Sequence, residues 1–344
     1  VRKLTIALLL VSLFVFSIAP SFAQDEPSQT IAEIVVASAG GDPAEFTILL
    51  AAVSAADPAI LEALSNPEAS LTVFAPTDAA FAAAFEALGV TPEDVLGNPA
   101  MLNSILLYHV LPAAFDSSVL LTAGEGICFG TALHYSASMV TSDGETVMVD
   151  GATVVTADIA ASNGVIHVID AVLVPADLEG HMAMMEEMAG MEMEAMGTIA
   201  ELGAATPELT TLMQAVGLAD PAVGALLSNP GAMVTVFAPV NEAFATLPSD
   251  VQAQALSDTA VLTGILAYHV VPGTLNAEAL MATSEMMEGG PFKVMTLAGV
   301  PLTFLITEEG VMINDTVMVT ATDVMADNGI VHLINGILLP PTAE

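Results

Sequence analysis

The chain repeats itself. Thr30-Ile31-Ala32-Glu33 recurs as Thr198-Ile199-Ala200-Glu201, 168 positions on. Ala56-Asp57-Pro58-Ala59 recurs as Ala219-Asp220-Pro221-Ala222, and Thr72-Val73-Phe74-Ala75-Pro76 as Thr235-Val236-Phe237-Ala238-Pro239, both 163 positions on. Tyr108-His109-Val110 returns as Tyr268-His269-Val270 after 160, and Asn163-Gly164-Val165-Ile166-His167 as Asn328-Gly329-Ile330-Val331-His332 after 165. Matched blocks in one order, with offsets drifting by a few residues, mean two homologous units that differ by loop insertions. Whatever the fold is, it must be buildable twice from units of roughly 150 residues, an ordinary domain size.

Each unit reads helical first and β-rich last. Phe46, Leu49, Leu50 and Val53 lie at i, i+3, i+4 and i+7, one stripe of a helix, and Leu209, Leu212, Met213 and Val216 repeat it. Asp57-Pro58 and Asp220-Pro221 fit the cap and first position of a following helix. Leu71 to Ala75 and Val234 to Ala238 are short buried strands. After the proline, Thr77 or Asp78 can cap the next helix, and Asn241 the same helix in the second unit. Thr146–Val149, Asp150-Gly151 and Thr153–Thr156 suggest a tight hairpin, as do Val311–Ile313, Asn314-Asp315 and Val317–Thr320. Asn163-Gly164 and Asn328-Gly329 mark turns before final strands over 165–174 and 330–339. The expected fold class is α+β, two tandem domains, each a β-wedge or sandwich with several packed helices and its own separate core. The expected boundaries are a signal peptide over 1–23, a first domain over 28–176, a linker over 177–196 and a second domain over 197–341.

The N-terminal segment fits a secretory signal. Arg2 and Lys3 precede an apolar run from Ile6 to Phe16, and Ser21-Phe22-Ala23 offers a cleavage site after Ala23. Removing it leaves forty acids against one base, Lys293, a charge of −39. Only 12% of residues are charged and 54% are hydrophobic, so the chain can bury a core. Such a balance excludes nucleic acid and anionic membrane surfaces as partners and favours cationic ones. No membrane insertion is expected after signal cleavage. The lone Cys128 forbids an intrachain disulfide, and burial is its expected state.

These blocks resemble the fasciclin domain family, also called beta-Ig-H3/fasciclin. The resemblance is carried by Thr72 to Phe81 and Thr235 to Phe244, by Leu107 to Pro112 and Ala267 to Gly273, and by Asn163 to Asp170 and Asn328 to Asn335. The second copy departs at Val240, where the family usually has Thr, and at Asn335, where it usually has Asp, and weaker polar contacts are expected there. The resemblance implies a secreted or surface-attached adhesion protein, not an enzyme, that engages extracellular protein, matrix or glycan partners. It also implies binding residues at Tyr108, His109, Tyr268 and His269, although buried, hydrogen-bonded residues joining helices to sheet are the competing reading of both pairs.

His167 and His332 sit inside apolar strands and read as buried structural residues rather than metal ligands or bases. Asp158 and Asp323 recur, but a repeated Asp near a strand end reads as a turn or cap. No nucleophile elbow, phosphate loop or paired metal motif is present, no cofactor is expected, and one Lys gives no clamp for anionic substrates. The alternative function is extracytoplasmic metal binding. Either the thioethers of Met182, Met185, Met188 and Met191 with His181 take Cu(I), or the acidic surface loosely holds divalent cations. A spacer whose methionines cover apolar surface explains the same Met-rich linker. The sequence leaves the oligomeric state open.

Overall fold

A computed structural model describes residues 27–183, 196–247 and 257–341. The signal segment, most of the Met-rich linker and residues 248–256 lie outside them.

Local chemistry starts each helix. In the first copy α1 (Ile31–Ala39) opens with a reciprocal capping box between Thr30 and Glu33. Next come α2 (Thr47–Ala55) and α3 (Pro58–Ser65), the latter with Asp57 as cap and Pro58 at its first position. Strand β1 (Leu71–Pro76) leads to α4 (Asp78–Leu88), α5 (Pro92–Leu96) and α6 (Pro99–Tyr108). The remainder is β2 (Val110–Leu111), α7 (Ser117–Leu120), β3 (Ile127–Gly130), β4 (Ala137–Ser142), β5 (Val147–Val149), β6 (Ala152–Ala161) and β7 (Gly164–Ile169). The second copy follows the same plan with α8 (Ile199–Ala205), α9 (Thr210–Leu218), α10 (Pro221–Ser228), β8 (Val234–Pro239), α11 (Asn241–Phe244) and α12 (Thr259–Tyr268). It continues through β9 (Val270–Pro272), α13 (Ala277–Met286), β10 (Phe292–Met295), β11 (Pro301–Thr307), β12 (Gly310–Ile313), β13 (Val317–Ala326) and β14 (Gly329–Ile334).

The strands run in one order, β2-β1-β7-β6-β5-β4-β3-β10-β11-β12-β13-β14-β8-β9. With homologous strands matched, that order reads the same from either end, the pattern a two-fold axis along the β3–β10 seam would produce. Within each copy the first strand and the last pair in parallel, β1 with β7 and β8 with β14. This pairing explains the recurrent Asn-Gly. A Cβ on Gly164 would stand 1.9 Å from the Leu71 carbonyl oxygen, and one on Gly329 would stand 1.9 Å from that of Val234. Both glycines also hold left-handed backbone angles, with φ of +148° and +152°.

The expectation of two separate cores is corrected at the seam. Strands β3 and β10 pair in parallel with Val294 opposite Cys128. Cys128 packs among second-copy residues such as Phe292 and Phe304, while Met295 packs among first-copy residues such as Phe74 and Leu133. The physical reason is the sheet edge. An unpaired β3 and an unpaired β10 would each leave backbone N–H and C=O groups without partners, and pairing the two removes both edges. Backbone meets backbone there: a Cβ on Gly130 would lie 2.2 Å from the Pro272 carbonyl oxygen. Beside that contact the Tyr135 amide donates to the Thr274 carbonyl at 2.9 Å.

Other expectations shift in detail. Phe46 sits just outside α2 in a left-handed conformation and is buried. Thr77 caps α4 through the Ala80 amide, but α11 is entered through Val240 with no side-chain cap. Asn241 instead accepts from the Thr211 amide at 2.9 Å and ties α11 to α9. The final strands stop at Ile169 and Ile334, sooner than expected. Asp170 and Asn335 follow them and accept from the Thr153 and Met318 amides at 2.7 and 2.9 Å. Asn335 thus keeps the contact that its departure from the family pattern was expected to weaken.

Candidate functional site: the paired Tyr-His motifs

The four residues expected to bind a partner lie at the ends of α6 and α12, and all are interior. Tyr108, His109, Tyr268 and His269 are 6%, 4%, 2% and 3% exposed. A partner resting on this surface does not reach their side chains.

The histidines are fixed in one tautomer. His109 Nδ1 lies 2.7 Å from the Ile105 carbonyl and must donate, while its Nε2 accepts from the Leu173 amide at 2.9 Å. His269 repeats this with Ile265 at 2.8 Å and Leu338 at 3.0 Å. A second proton would point at an N–H. Burial lowers both pKa values to about 4, against the smaller opposing pull of the carbonyl bond. Each ring therefore staples the end of a helix to the segment that leaves the last strand.

The tyrosines brace the sheet, with different chemistry in the two copies. Tyr108 Oη donates to Asp150 at 2.9 Å, and Asp150 also accepts from the Met139 amide at 2.8 Å. Burial raises the Asp150 pKa, partly offset by those two bonds. Burial first and the Asp150 charge second raise that of Tyr108. In the second copy an amide replaces the carboxylate. Asn314 donates to Tyr268 Oη at 3.1 Å and accepts from the Thr303 amide at 3.0 Å, while Tyr268 donates to the Pro301 carbonyl at 3.2 Å. Burial raises the Tyr268 pKa as well.

A second pair of histidines supports the same region from the sheet. His167 and His332 are fully buried. Their Nε2 atoms meet the Phe115 and Leu275 carbonyls at 2.9 and 2.8 Å, and their Nδ1 atoms accept from the Asp158 and Asp323 amides at 3.3 Å. Burial is the main cause that lowers both pKa values. Asp158 and Asp323 stand in left-handed conformations within register shifts of β6 and β13. Their carboxylates hold the starts of α7 and α13, accepting from the Ser117 amide at 2.7 Å and the Ala277 amide at 2.8 Å.

Sequence reasoning treated Asn163 and Asn328 as turn residues and missed their larger role. Asn163 accepts from the Ile31 amide at 2.9 Å and donates to the Leu64 and Asn66 carbonyls at 2.9 and 3.0 Å. Asn328 repeats all three bonds with Ile199, Leu227 and Asn229. Their recurrence in a matching sequence context was the available signal, and Asn-Gly as a common turn dipeptide hid it.

Of the residues considered for Cu(I), His181 and Met182 are described, with His181 Nδ1 at 2.6 Å from the Asp177 carbonyl. Met185, Met188 and Met191 lie outside the described residues. Among the described residues no three His, Cys, Asp or Glu side chains are grouped to hold a metal ion. No helix among them is long and apolar enough to cross a membrane.

Comparison with known proteins fits this geometry. The fasciclin domain family profile matches residues 44–175 and 206–340. Protein sll1483 of Synechocystis sp. is 37% identical over 146 residues, 42% of this chain and 74% of that protein. Cell surface glycolipoprotein MPB83 of Mycobacterium bovis is 32% identical over 155 residues, 45% of this chain and 64% of its own length. Transforming growth factor-beta-induced protein ig-h3 of Sus scrofa is 27% identical over 286 residues, which span 80% of this chain but 35% of that protein. Two regions that together make up most of the sequence match one profile in tandem, and the chain belongs to the fasciclin domain family.

Proposed function

We propose that the chain is a secreted two-domain adhesion protein that binds an extracellular protein, matrix or glycan partner without catalysis. The observation that carries the reading is the seam. Two copies of a family fold are joined through β3 and β10 into one sheet, so a single body presents two related surfaces at a fixed spacing. Fixed spacing raises avidity when a partner offers two sites in register. A cell-surface relative is consistent with this placement. Because Tyr108, His109, Tyr268 and His269 are buried, their part in binding is to shape the surface above them. The surplus of acids selects a neutral or cationic partner face.

Beads coated with the full chain test the proposal on cell layers and matrix films. Adhesion above albumin-coated beads is expected, and it should fall as salt is raised from about 0.05 to 0.5 M. Adhesion no better than albumin on every surface defeats the proposal.

A further inference from the structure

We infer that Asn335-Gly336 is a modification site, at which the second copy converts its own side-chain amide into the carboxylate that the first copy carries as Asp170. The sequence holds three Asn-Gly pairs, Asn163-Gly164, Asn328-Gly329 and Asn335-Gly336. A glycine that follows an asparagine has no side chain to keep its backbone nitrogen away from the Asn Cγ. Two of the pairs are locked. Asn163 and Asn328 are buried, each donates its Nδ2 to two carbonyls, and their glycines belong to β7 and β14. Asn335 is exposed and lies just past the end of β14. Among the described residues neither its Nδ2 nor the Gly336 amide has a hydrogen-bond partner. Asp170, its counterpart in the first copy, is exposed as well, and there the chain is described without a break.

Packing explains the glycine. Val317 stands where the first copy has Ala152, each opposite the last residue of the strand before it. A Cβ on Gly336 would lie 2.9 Å from Val317 Cγ2, so the larger strand residue leaves no room for a side chain after Asn335. The first copy carries Ala171 at that place, in one core cluster with the smaller Ala152. The reactive pair therefore belongs to the second copy alone.

The chemistry needs water and no other reactant. The Gly336 amide gives its proton to solvent base, its nitrogen bonds to Cγ of Asn335, and Nδ2 leaves as ammonia, which closes a five-membered imide. Negative charge develops on Oδ1 during that addition, and the Met318 amide already donates to Oδ1 at 2.9 Å. A fixed donor at that oxygen stabilises the addition. Water then opens the imide. Addition at Cγ breaks the new C–N bond and gives Asp at 335, whereas addition at the backbone carbonyl carbon gives the β-linked isomer. The first product can keep the Met318 bond, as Asp170 accepts from the Thr153 amide at 2.7 Å. The second lengthens the backbone between β14 and Leu338, whose amide His269 holds at 3.0 Å. One product thus reproduces the first copy, and the other loosens the His269 staple. This site is separate from the adhesion proposal, and either can fail alone.

Incubation of the full chain at neutral and mildly alkaline pH tests the site, with mass spectrometry after cleavage at acidic residues. A gain of about one dalton is expected at residue 335, faster at the higher pH. Asn163 and Asn328 should convert about ten-fold or more slowly, because their Nδ2 bonds must break first. In urea, where the fold is lost, the three pairs should convert at similar rates. An isoaspartyl methyltransferase should label the β-linked isomer at 335 in the aged protein, and Asn335→Asp should take up no label there and melt no lower than the parent. An unchanged mass at 335 in the folded chain, or equal folded-state rates at the three pairs, overturns the inference. So does a preference for Asn335 that persists undiminished in urea, which would owe nothing to the fold, or an Asn335→Asp protein that melts below the parent, which would mean that the carboxylate does not fit.

Discussion

Gly130→Ala isolates the seam from everything else in the molecule. Gly130 has no left-handed φ, so alanine suits its own backbone, and the only obstacle is the neighbouring domain. The added Cβ would stand 2.2 Å from the Pro272 oxygen and 3.2 Å from Gly273 Cα, whereas ordinary contact begins at 3.4 Å. All these obstacles are backbone, so the two copies must separate by about 1 Å. Overpacking of that kind costs about 1–3 kcal/mol. The Tyr135-to-Thr274 bond across the seam, 2.9 Å long, would be strained as well, and a lost hydrogen bond is worth about 1 kcal/mol. A total of roughly 2–4 kcal/mol should lower Tm by several degrees. It should also divide one calorimetric transition into two, because the copies would no longer exchange Cys128 and Met295 between their cores. Gly217→Ala in α9 is the control: a Cβ there meets nothing within 4 Å, and helix propensity makes it neutral to stabilising by up to about 1 kcal/mol. Differential scanning calorimetry with small-angle scattering reads both. A Gly130→Ala protein with unchanged Tm, one transition and unchanged scattering would falsify the welded seam.

Four further outcomes follow from the interior chemistry. His109 and His269 bind protons in the unfolded chain below about 6.5 but in the fold only near 4, so unfolding takes up protons in that window and stability must fall as pH drops through it. The upper bound is roughly 3.5 kcal/mol for each ring at about 1.4 kcal/mol per unit, and a urea midpoint no lower at pH 5 than at pH 7 would contradict the assignment. His109→Ala strands the Leu173 amide and the Ile105 carbonyl and should cost about 2–5 kcal/mol in urea denaturation. Asn163→Ala removes three bonds and leaves their backbone partners buried, an expected loss of about 3 kcal/mol read from the same assay. Asp150→Asn copies the second unit's Asn314; because burial raises the Asp150 pKa, the carboxylate weakens the fold above its ordinary titration range, and the amide should be neutral to stabilising at pH 7 by thermal melt.

Much of this architecture was readable because its devices are local. Asp57 with Pro58 and the Asp150-Gly151 hairpin announce themselves within a few residues, and the duplication supplies each a second time. What the sequence hid is long-range. The β3–β10 pairing joins strands 166 positions apart at Cys128 and Val294, and no pattern in either strand names its partner. The triple role of Asn163 spans 132 positions to Ile31.

The Tyr-His motifs recur in both copies, and the interior alone accounts for that recurrence. Each His joins a helix end to the segment after the last strand, and each Tyr ties the same helix to a hairpin turn. Those duties do not depend on a partner, and they hold whether the hairpin residue is Asp150 or Asn314. In the proposed adhesion role, recognition has to use what the bracing leaves free. That is the surface it holds in place, together with features in which the copies differ, such as the short α11 and the exposed Leu218. Two copies kept alike inside and allowed to differ outside give one continuous sheet two related but unequal faces.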